Sequence, residues 1–336
     1  MKEFLQALGR WFFEEGDPRT AAACRIGLSG LFLFILWDFY PVMPLLFGHR
    51  GMMGTMEPVL KHLSGLQYFL FHHDSAWELQ VWFWASVAFA AMAMVGFLTR
   101  LSLILTFVSM MLFRERGPFI TFGADLVMNC LGIWLLFLDC GRVWSVDQLL
   151  RRRSLRPLRT RIELWPVKAI QIQVALIYLV TGLKKLQTTP WQDGSAVYYA
   201  VHVGNVLKGQ PLPWIVHHHG LMAFMNYATL CIELAVPFML FFRSLRIWAM
   251  GAAFLMHTGI DLFMSIRFFS LAMYVGYVAF LDAGDWDWWT SQLRRAGTLL
   301  SRWRHPQSPT AAARTTLRVH PCKPSQRARG HGRGLG

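Results

Sequence analysis

Long apolar stretches constrain the fold of this chain more than any other feature. Eight windows each approach the roughly 20 apolar residues that a helix needs to cross about 30 Å of hydrocarbon. They cover about 26–47, 79–98, 101–113, 119–139, 166–183, 221–242, 245–263 and 264–282. With 54% hydrophobic and only 15% charged residues, the composition is too apolar for a soluble domain. The sequence therefore predicts an all-α, polytopic transmembrane helical bundle of about eight spans.

The basic residues predict the orientation of these spans, because short cytoplasmic loops retain Lys and Arg. One arginine cluster, 142–161, lies between the fourth and fifth windows, and another follows the eighth window. The pattern predicts a multi-pass protein with both termini in the cytoplasm. The net charge of +14 follows mostly from this asymmetry. Anionic lipid headgroups are sufficient partners for it, so no nucleic acid is expected.

The two ends of the chain differ from the apolar centre. Residues 1–290 are predicted to form one transmembrane domain, which opens with an interfacial amphipathic helix over residues 1–20 and has no cleavable signal peptide. Residues 305–336 are rich in Arg, Pro, Gly and Ser and poor in large apolar residues. Such a segment cannot bury a core, so a basic disordered tail is expected.

Two adjacent lysines, Lys184 and Lys185, close the apolar window 166–183, and Trp191 and Gly194 follow in a short polar turn. An ammonium group at the edge of hydrocarbon must snorkel, pair or lose its proton, so it marks a functional hypothesis. One interpretation is that both lysines cap the helix with their charges among the headgroups. The other is that repulsion between them frees one neutral amine, which could act as a base.

Three more ionisable residues inside apolar windows are candidate site residues. Glu233 is deep in the sixth window, where an unpaired carboxylate is costly and demands a partner or a proton. His257 and Asp261 are four residues apart and therefore on one face of a helix. In one interpretation Asp261 orients the imidazole of His257 for acid–base chemistry. In the other, the two residues belong to a packed polar seam between helices.

Metal binding is not indicated by the sequence. The run His217-His218-His219 is the densest group of candidate ligands, but consecutive side chains diverge on any regular element and no second cluster completes a coordination sphere. The five cysteines are scattered without metal-ligand spacing. We therefore expect no metal.

Five blocks in collinear order resemble the HTTM (horizontally transferred transmembrane) domain family, whose best-known member is the vitamin K-dependent gamma-glutamyl carboxylase. The resemblance covers about residues 15–283. Its blocks are CRIGLSGLFLFILWD, FLDCGRVWSVDQLL with Trp144-Ser145-Val146-Asp147, the Tyr178–Gly194 block with GLKKL, IELAVPFMLFF at Glu233, and HTGIDLFMSIRFFS from His257 to Ser270.

The resemblance implies a reaction and a base. In the carboxylase, the second lysine of the matching motif deprotonates vitamin K hydroquinone, whose oxygenation then drives the removal of a γ proton from a peptide glutamate and the uptake of carbon dioxide. Lys185 takes that position here, with Lys184 beside it. A reduced quinone as cofactor and a secreted peptide as substrate follow as expectations, with the membrane lipids around them. Residues 48–78 and 186–220 are expected to roof an outward-facing cavity.

Two departures from the carboxylases leave a second function open. A histidine of their fourth span falls at Ala124 here on a gapless count back from Trp144. After residue 283 only a short amphipathic stretch and the basic tail follow, so no large luminal domain is expected. The compact length resembles bacterial stand-alone members, and this resemblance implies a bacterial inner membrane. The alternative is a non-enzymatic membrane factor for maturation, export or immunity of a secreted peptide.

Overall fold

The computed structural model describes residues 2–48, 51–52, 75–117, 123–152, 161–203, 214, 217–264, 266 and 268–304. Apart from one two-residue strand pair, its regular elements are helical. The strands are β1 (Glu15–Gly16) and β2 (Ile162–Glu163), which pair antiparallel. The helices are α1 (Lys2–Phe12), α2 (Pro18–Phe39), α3 (Met43–Phe47), α4 (Ala76–Val95), α5 (Thr99–Arg116), α6 (Gly123–Leu135), α7 (Val146–Arg152), α8 (Trp165–Leu186), α9 (Thr189–Gln192), α10 (Ala196–His202), α11 (His219–Met239), α12 (Arg243–Phe263), α13 (Phe269–Val278) and α14 (Ala283–Arg304).

The all-α prediction is confirmed, whereas the count of eight spans is not. Each of the eight windows overlaps a helix, but only four helical stretches among the described residues are long and apolar enough to cross a membrane. These are Pro18–Phe47, Ala76–Val95, Trp165–Leu186 and His219–Met239. The helices α6 and α13 are apolar but have only 13 and 10 residues, short of the roughly 20 that a full crossing needs.

The predicted N-terminal helix is shorter than residues 1–20. Helix α1 ends at Phe12, and β1 separates it from α2, which begins with Pro18 after an Asp17 cap. Proline fits the first turn of a helix, where its missing N–H has no partner to lose. The basic tail predicted over 305–336 and most of the first predicted roof segment lie outside the described residues.

Helix α8 is central to the bundle and packs against α11, α6 and α13, while α2 packs against α4 and α13. The chain divides into one compact unit, Met1–Trp286, and a second unit, Asp287–Gly336. All of the site described below belongs to the first unit.

A buried arginine ties the last turn of α4 to the segment before α7. Arg25 is fully buried in α2 and donates to the carbonyls of Ala93 (2.5 Å), Met94 (2.6 Å) and Trp144 (2.7 Å). The last carbonyls of a helix have no partner within the helix. The guanidinium therefore caps α4 from a neighbouring helix.

Asp147 caps the start of α5 in a similar way. Its carboxylate accepts hydrogen bonds from the amides of Leu98 (2.9 Å) and Thr99 (2.8 Å) and from the Thr99 hydroxyl (2.7 Å). Burial alone would raise the pKa of Asp147, but these hydrogen bonds and the charge of Arg151 outweigh it and hold the pKa below its usual value.

Asp147→Ala is expected to lower the free energy of unfolding by about 1–3 kcal/mol at neutral pH, because two helix amides lose their acceptor. The lowered pKa makes this contribution complete above the ordinary aspartate pKa of about 3.9, and it is lost as pH falls through the folded-state value. Denaturation in detergent, followed from pH 7 down to pH 3, measures the effect. The gap between wild type and variant should narrow as pH falls below about 4; a constant gap would contradict this role of the carboxylate.

Candidate functional site

A mostly apolar cavity of about 470 Å³ lies between α8, α10, α11, α12 and α13, with Trp191 of α9 at its edge. Its apolar walls come mainly from aliphatic, aromatic and methionine side chains of α10, α11 and α12. Its polar lining includes Tyr178, Thr181, Lys185, Thr229, Glu233 and His257. A mainly apolar cavity with a few convergent polar groups is the usual form of a small-molecule site.

Lys185 and Glu233 form an ion pair between α8 and α11. The Glu233 side chain is only 7% exposed and the Lys185 side chain 26% exposed. The second carboxylate oxygen of Glu233, Oε2, is buried without a hydrogen-bond partner among the described residues. The costly carboxylate of the sixth window thus has a partner, and one acceptor atom remains unused.

Trp191 completes the surroundings of the lysine. Its ring lies 4.6 Å from the Lys185 ammonium nitrogen, which is a cation–π distance. Asn226 of α11 donates to the Trp191 carbonyl at 3.0 Å and so holds the turn after α8 against α11. Two independent contacts, a carboxylate and an aromatic face, fix the amine at the cavity wall.

Gly182 lets α8 approach α11 closely enough for this pair to form. A Cβ at this position would lie 3.0 Å from Leu234 Cδ2 and 3.2 Å from Glu233 Cβ, closer than most real contacts. Gly182 is three residues before Lys185 and therefore on the same helical face. The glycine of the GLKKL motif has a packing role at this interface.

Gly182→Val is expected to lower the free energy of unfolding by about 1–3 kcal/mol, because the larger side chain overpacks the contact between α8 and α11. Gly251→Val is the matched control, since a Cβ at Gly251 of α12 meets nothing within 4 Å. Thermal unfolding of both variants in one detergent measures the difference. Equal midpoints for the two variants would show that the close approach at Gly182 is unimportant.

His257 belongs to a buried chain of hydrogen bonds that reaches three helices. Its Nε2 lies 2.6 Å from the Tyr178 hydroxyl of α8, which also contacts the Tyr277 hydroxyl of α13. The other ring nitrogen, Nδ1, is buried without a hydrogen-bond partner in the described part of the chain. The chain of hydroxyls orients the imidazole and leaves one polar ring atom unsatisfied.

Three predicted site residues lie apart from this arrangement. Asp261 accepts a hydrogen bond from the Ser270 hydroxyl at 2.8 Å and is not among the cavity-lining residues. His257 therefore takes its orientation from Tyr178, although the four-residue spacing permits an interaction with Asp261. Lys184 is exposed and outside the cavity. The predicted arrangement of two lysines sharing an apolar rim is not found, because adjacent helical residues point in different directions.

Gly194, the third of these residues, has a structural role in the turn between α9 and α10. Its φ of +83° lies in the left-handed region, and a Cβ there would approach the Tyr227 ring to 3.2 Å. The Tyr227 hydroxyl in turn donates to the Gln192 carbonyl at 3.0 Å. A glycine is needed here for both reasons.

Tyr178, Thr181 and Tyr277 are site residues that sequence reasoning missed. Tyr178 and Lys185 are seven residues apart on α8, so both lie on the cavity face, and this spacing was available as a signal. Thr181 donates to the carbonyls of Ile177 (2.8 Å) and Tyr178 (3.0 Å). Tyr277 is on a different helix, and no local pattern connects it to Tyr178.

A larger cavity of about 730 Å³ lies at the opposite end of α8, but its character is different. Its charged side chains are largely paired with each other: Lys168 with Glu14, Arg246 with Asp282, and Arg19 with Asp17. No group of three or more His, Cys, Asp or Glu that could hold a metal ion occurs among the described residues. The apolar cavity at Lys185 is therefore the stronger candidate for a site.

Together, the helices and the cavity define a helical membrane protein with a few polar groups in an otherwise apolar cavity. The HTTM domain profile matches residues 40–288, well over half of the chain. The chain belongs to the HTTM domain family. The match begins later than the predicted start at about residue 15 and extends slightly beyond the predicted end. No solved structure matches this chain.

Proposed function

We propose that this HTTM protein carries out a hydroquinone-dependent modification of a peptide, with Lys185 as the base. The observation that carries the proposal is the Lys185–Glu233 pair at the wall of an otherwise apolar cavity. A lipid-soluble quinol partitions into such surroundings, and an amine there contacts its hydroxyl without competing water. Carboxylation of glutamate in a secreted peptide is the specific reaction proposed.

The cavity offers suitable partners for a ring that carries two oxygens. Two buried atoms, Glu233 Oε2 and His257 Nδ1, have no hydrogen-bond partner among the described residues. Such groups are costly to leave unsatisfied. Both atoms are buried, so a ligand reaches them only when the two side chains turn towards the cavity, and the hydrogen bonds formed then offset that cost. The remaining walls suit the apolar part of the quinol.

The pair acts as a base after it has released one proton, when Glu233 carries the negative charge and the Lys185 amine is neutral. The amine then takes the hydroxyl proton of the quinol, and this transfer restores the ammonium–carboxylate ion pair seen in the structure. The carboxylate of Glu233 and the ring of Trp191 both stabilise that positive charge, because they contact the amine directly. Tyr178 holds the His257 ring in place. The surrounding apolar residues exclude water, which strengthens each of these interactions.

The bound quinol supplies the reducing power: quinol and dioxygen yield epoxide and water, and the glutamate exchanges a γ proton for carbon dioxide. The outward orientation of the cavity, which a secreted peptide requires, is part of the proposal. It is supported by the arginine-rich segment 142–161 on the opposite side of the predicted topology.

Purified protein in lipid nanodiscs tests the reaction with a reduced naphthoquinone, labelled bicarbonate and a glutamate-bearing peptide. The expected result is label in the peptide together with quinone epoxide, and no label in a matched peptide with glutamine in place of glutamate. Epoxide without label would contradict carboxylation and retain the quinol step. The absence of both label and epoxide would contradict the proposed function as a whole.

A non-enzymatic role is the second candidate, and Ala124 is the observation that favours it. This residue occupies the position of a carboxylase histidine on the sequence count, and it is buried in α6 and does not line the cavity. Under this alternative the cavity only binds part of a secreted peptide or a lipid. Variants of Lys185 would then leave maturation or export of the peptide largely unchanged in cells.

A further inference from the structure

The wall of the cavity between α11 and α12 reaches the outer surface of the bundle. Phe224 of α11 and Leu255 of α12 both line the cavity, yet their exposed fractions are 67% and 71%. Side chains that face only an interior cavity do not have such large exposure. The two residues therefore mark a place where the cavity wall and the outer surface coincide.

Gly259 leaves open space where the cavity wall meets the outer surface. It lines the cavity, and a Cβ built on it meets nothing within 4 Å. Leu255 is one helical turn away on the same face of α12, and Gly251 is one turn further. Gly251 also faces open space but does not line the cavity. One helix thus carries two comparable open glycines, only one of them at the cavity.

The outer surface of the bundle around Phe224 and Leu255 is suited to contact with acyl chains. Helix α11 is one of the four helices long and apolar enough to cross a membrane, and Ile247, Trp248 and Phe254 of α12 are exposed large apolar side chains. Along α11 the cavity extends from Phe224 to Glu233, nine residues or roughly 14 Å at 1.5 Å per residue. That length accommodates a ring at the polar pair and the first part of an apolar tail.

We propose that the ligand enters the cavity sideways from the bilayer, through an opening bordered by Phe224, Leu255 and Gly259. The ligand is a membrane-dissolved molecule with a polar ring and an apolar tail: the ring lies at Lys185 and Glu233, and the tail extends through the opening among the acyl chains. This inference rests on the proposed function for the identity of the ring. The route itself depends only on the opening.

A phosphatidylcholine with a photoreactive diazirine at the end of one acyl chain tests the route, because this probe is confined to the bilayer. The protein is reconstituted in vesicles that contain the probe, illuminated and digested, and labelled peptides are quantified by mass spectrometry. We expect labels on cavity-lining residues Met225, Met256 and Met273 in the wild type. Gly259→Trp should reduce this cavity labelling at least fivefold, because the indole fills the opening.

Three variants serve as controls. Gly251→Trp places the same side chain on the same face of α12 outside the cavity, and Gly259→Ala leaves most of the opening free; both should label as the wild type does. Tryptophan is a better helix former than glycine, so neither Trp variant is expected to unfold α12. Lys184→Met removes a charge from the same helix outside the cavity and should leave cavity labelling unchanged.

Absence of label on the cavity residues of the wild type would overturn the proposed route. Equal labelling of the wild type and Gly259→Trp would overturn it as well, and so would an equal reduction in Gly251→Trp. None of these results depends on whether the protein oxidises a quinol. A failed carboxylation assay together with the expected labelling pattern would leave the route intact and reject only the reaction.

Discussion

Lys185→Met is expected to lower the rate of quinol-dependent product formation by at least about 10²-fold, the usual contribution of a positioned general base. Methionine keeps an unbranched side chain of similar length and removes the only proton acceptor contributed by this residue. Product formation in nanodiscs, measured as quinone epoxide per protein per minute, gives the rate. The quinol must be in excess so that weaker binding does not imitate a slower chemical step.

Lys184→Met is the matched control for this result. Lys184 is the neighbouring residue on α8, but it is exposed and outside the cavity. Its variant should retain a rate close to that of the wild type. Equal losses in both variants would indicate a general effect of positive charge at the end of α8, and unchanged activity of Lys185→Met would remove Lys185 from the reaction.

Glu233→Leu is expected to destabilise the folded protein by about 3 kcal/mol, because it leaves the Lys185 ammonium without its carboxylate. This is the lower end of the range for buried pairs, since the Lys185 side chain keeps 26% exposure. Lys185→Met should cost less than Glu233→Leu, because Glu233 can take up a proton and become neutral. Denaturation in a mild detergent measures both.

The double variant Lys185→Met, Glu233→Leu should recover most of the lost stability, because no unpaired charge remains in the apolar wall. The change in stability of the double variant, minus the sum of the changes in the two single variants, gives the interaction free energy of the pair. Additive losses would mean that Lys185 and Glu233 do not interact in the folded protein.

The cost of burying a charged side chain can be predicted from the sequence, but the residue that pairs with it cannot. The sequence identifies Glu233 as a carboxylate that needs a partner, and Lys185 as an amine at the edge of hydrocarbon. They are 48 residues apart on different helices, and no local spacing connects them. Their contact depends on the close approach at Gly182, which is a property of two packed helices.

The same limit applies to the hydrogen-bond partner of the His257 ring. A spacing of four residues makes an interaction with Asp261 possible on one helix, yet the Tyr178 hydroxyl of another helix occupies Nε2. Tertiary contacts decide between two local possibilities. The count of eight spans is not confirmed for a different reason. Hydropathy windows do not register where a helix ends, and α6 ends at Leu135 after 13 residues and α13 at Val278 after 10.

The rate of quinol conversion by the double variant Lys185→Met, Glu233→Leu tests the central claim most directly. This variant should be folded and stable, so its activity reports on the chemistry of the pair and not on the integrity of the cavity. With reduced naphthoquinone and dioxygen in nanodiscs, we expect epoxide from the wild type and none above the uncatalysed background from the double variant. Equal conversion by both proteins would show that the Lys185–Glu233 pair takes no part in the reaction.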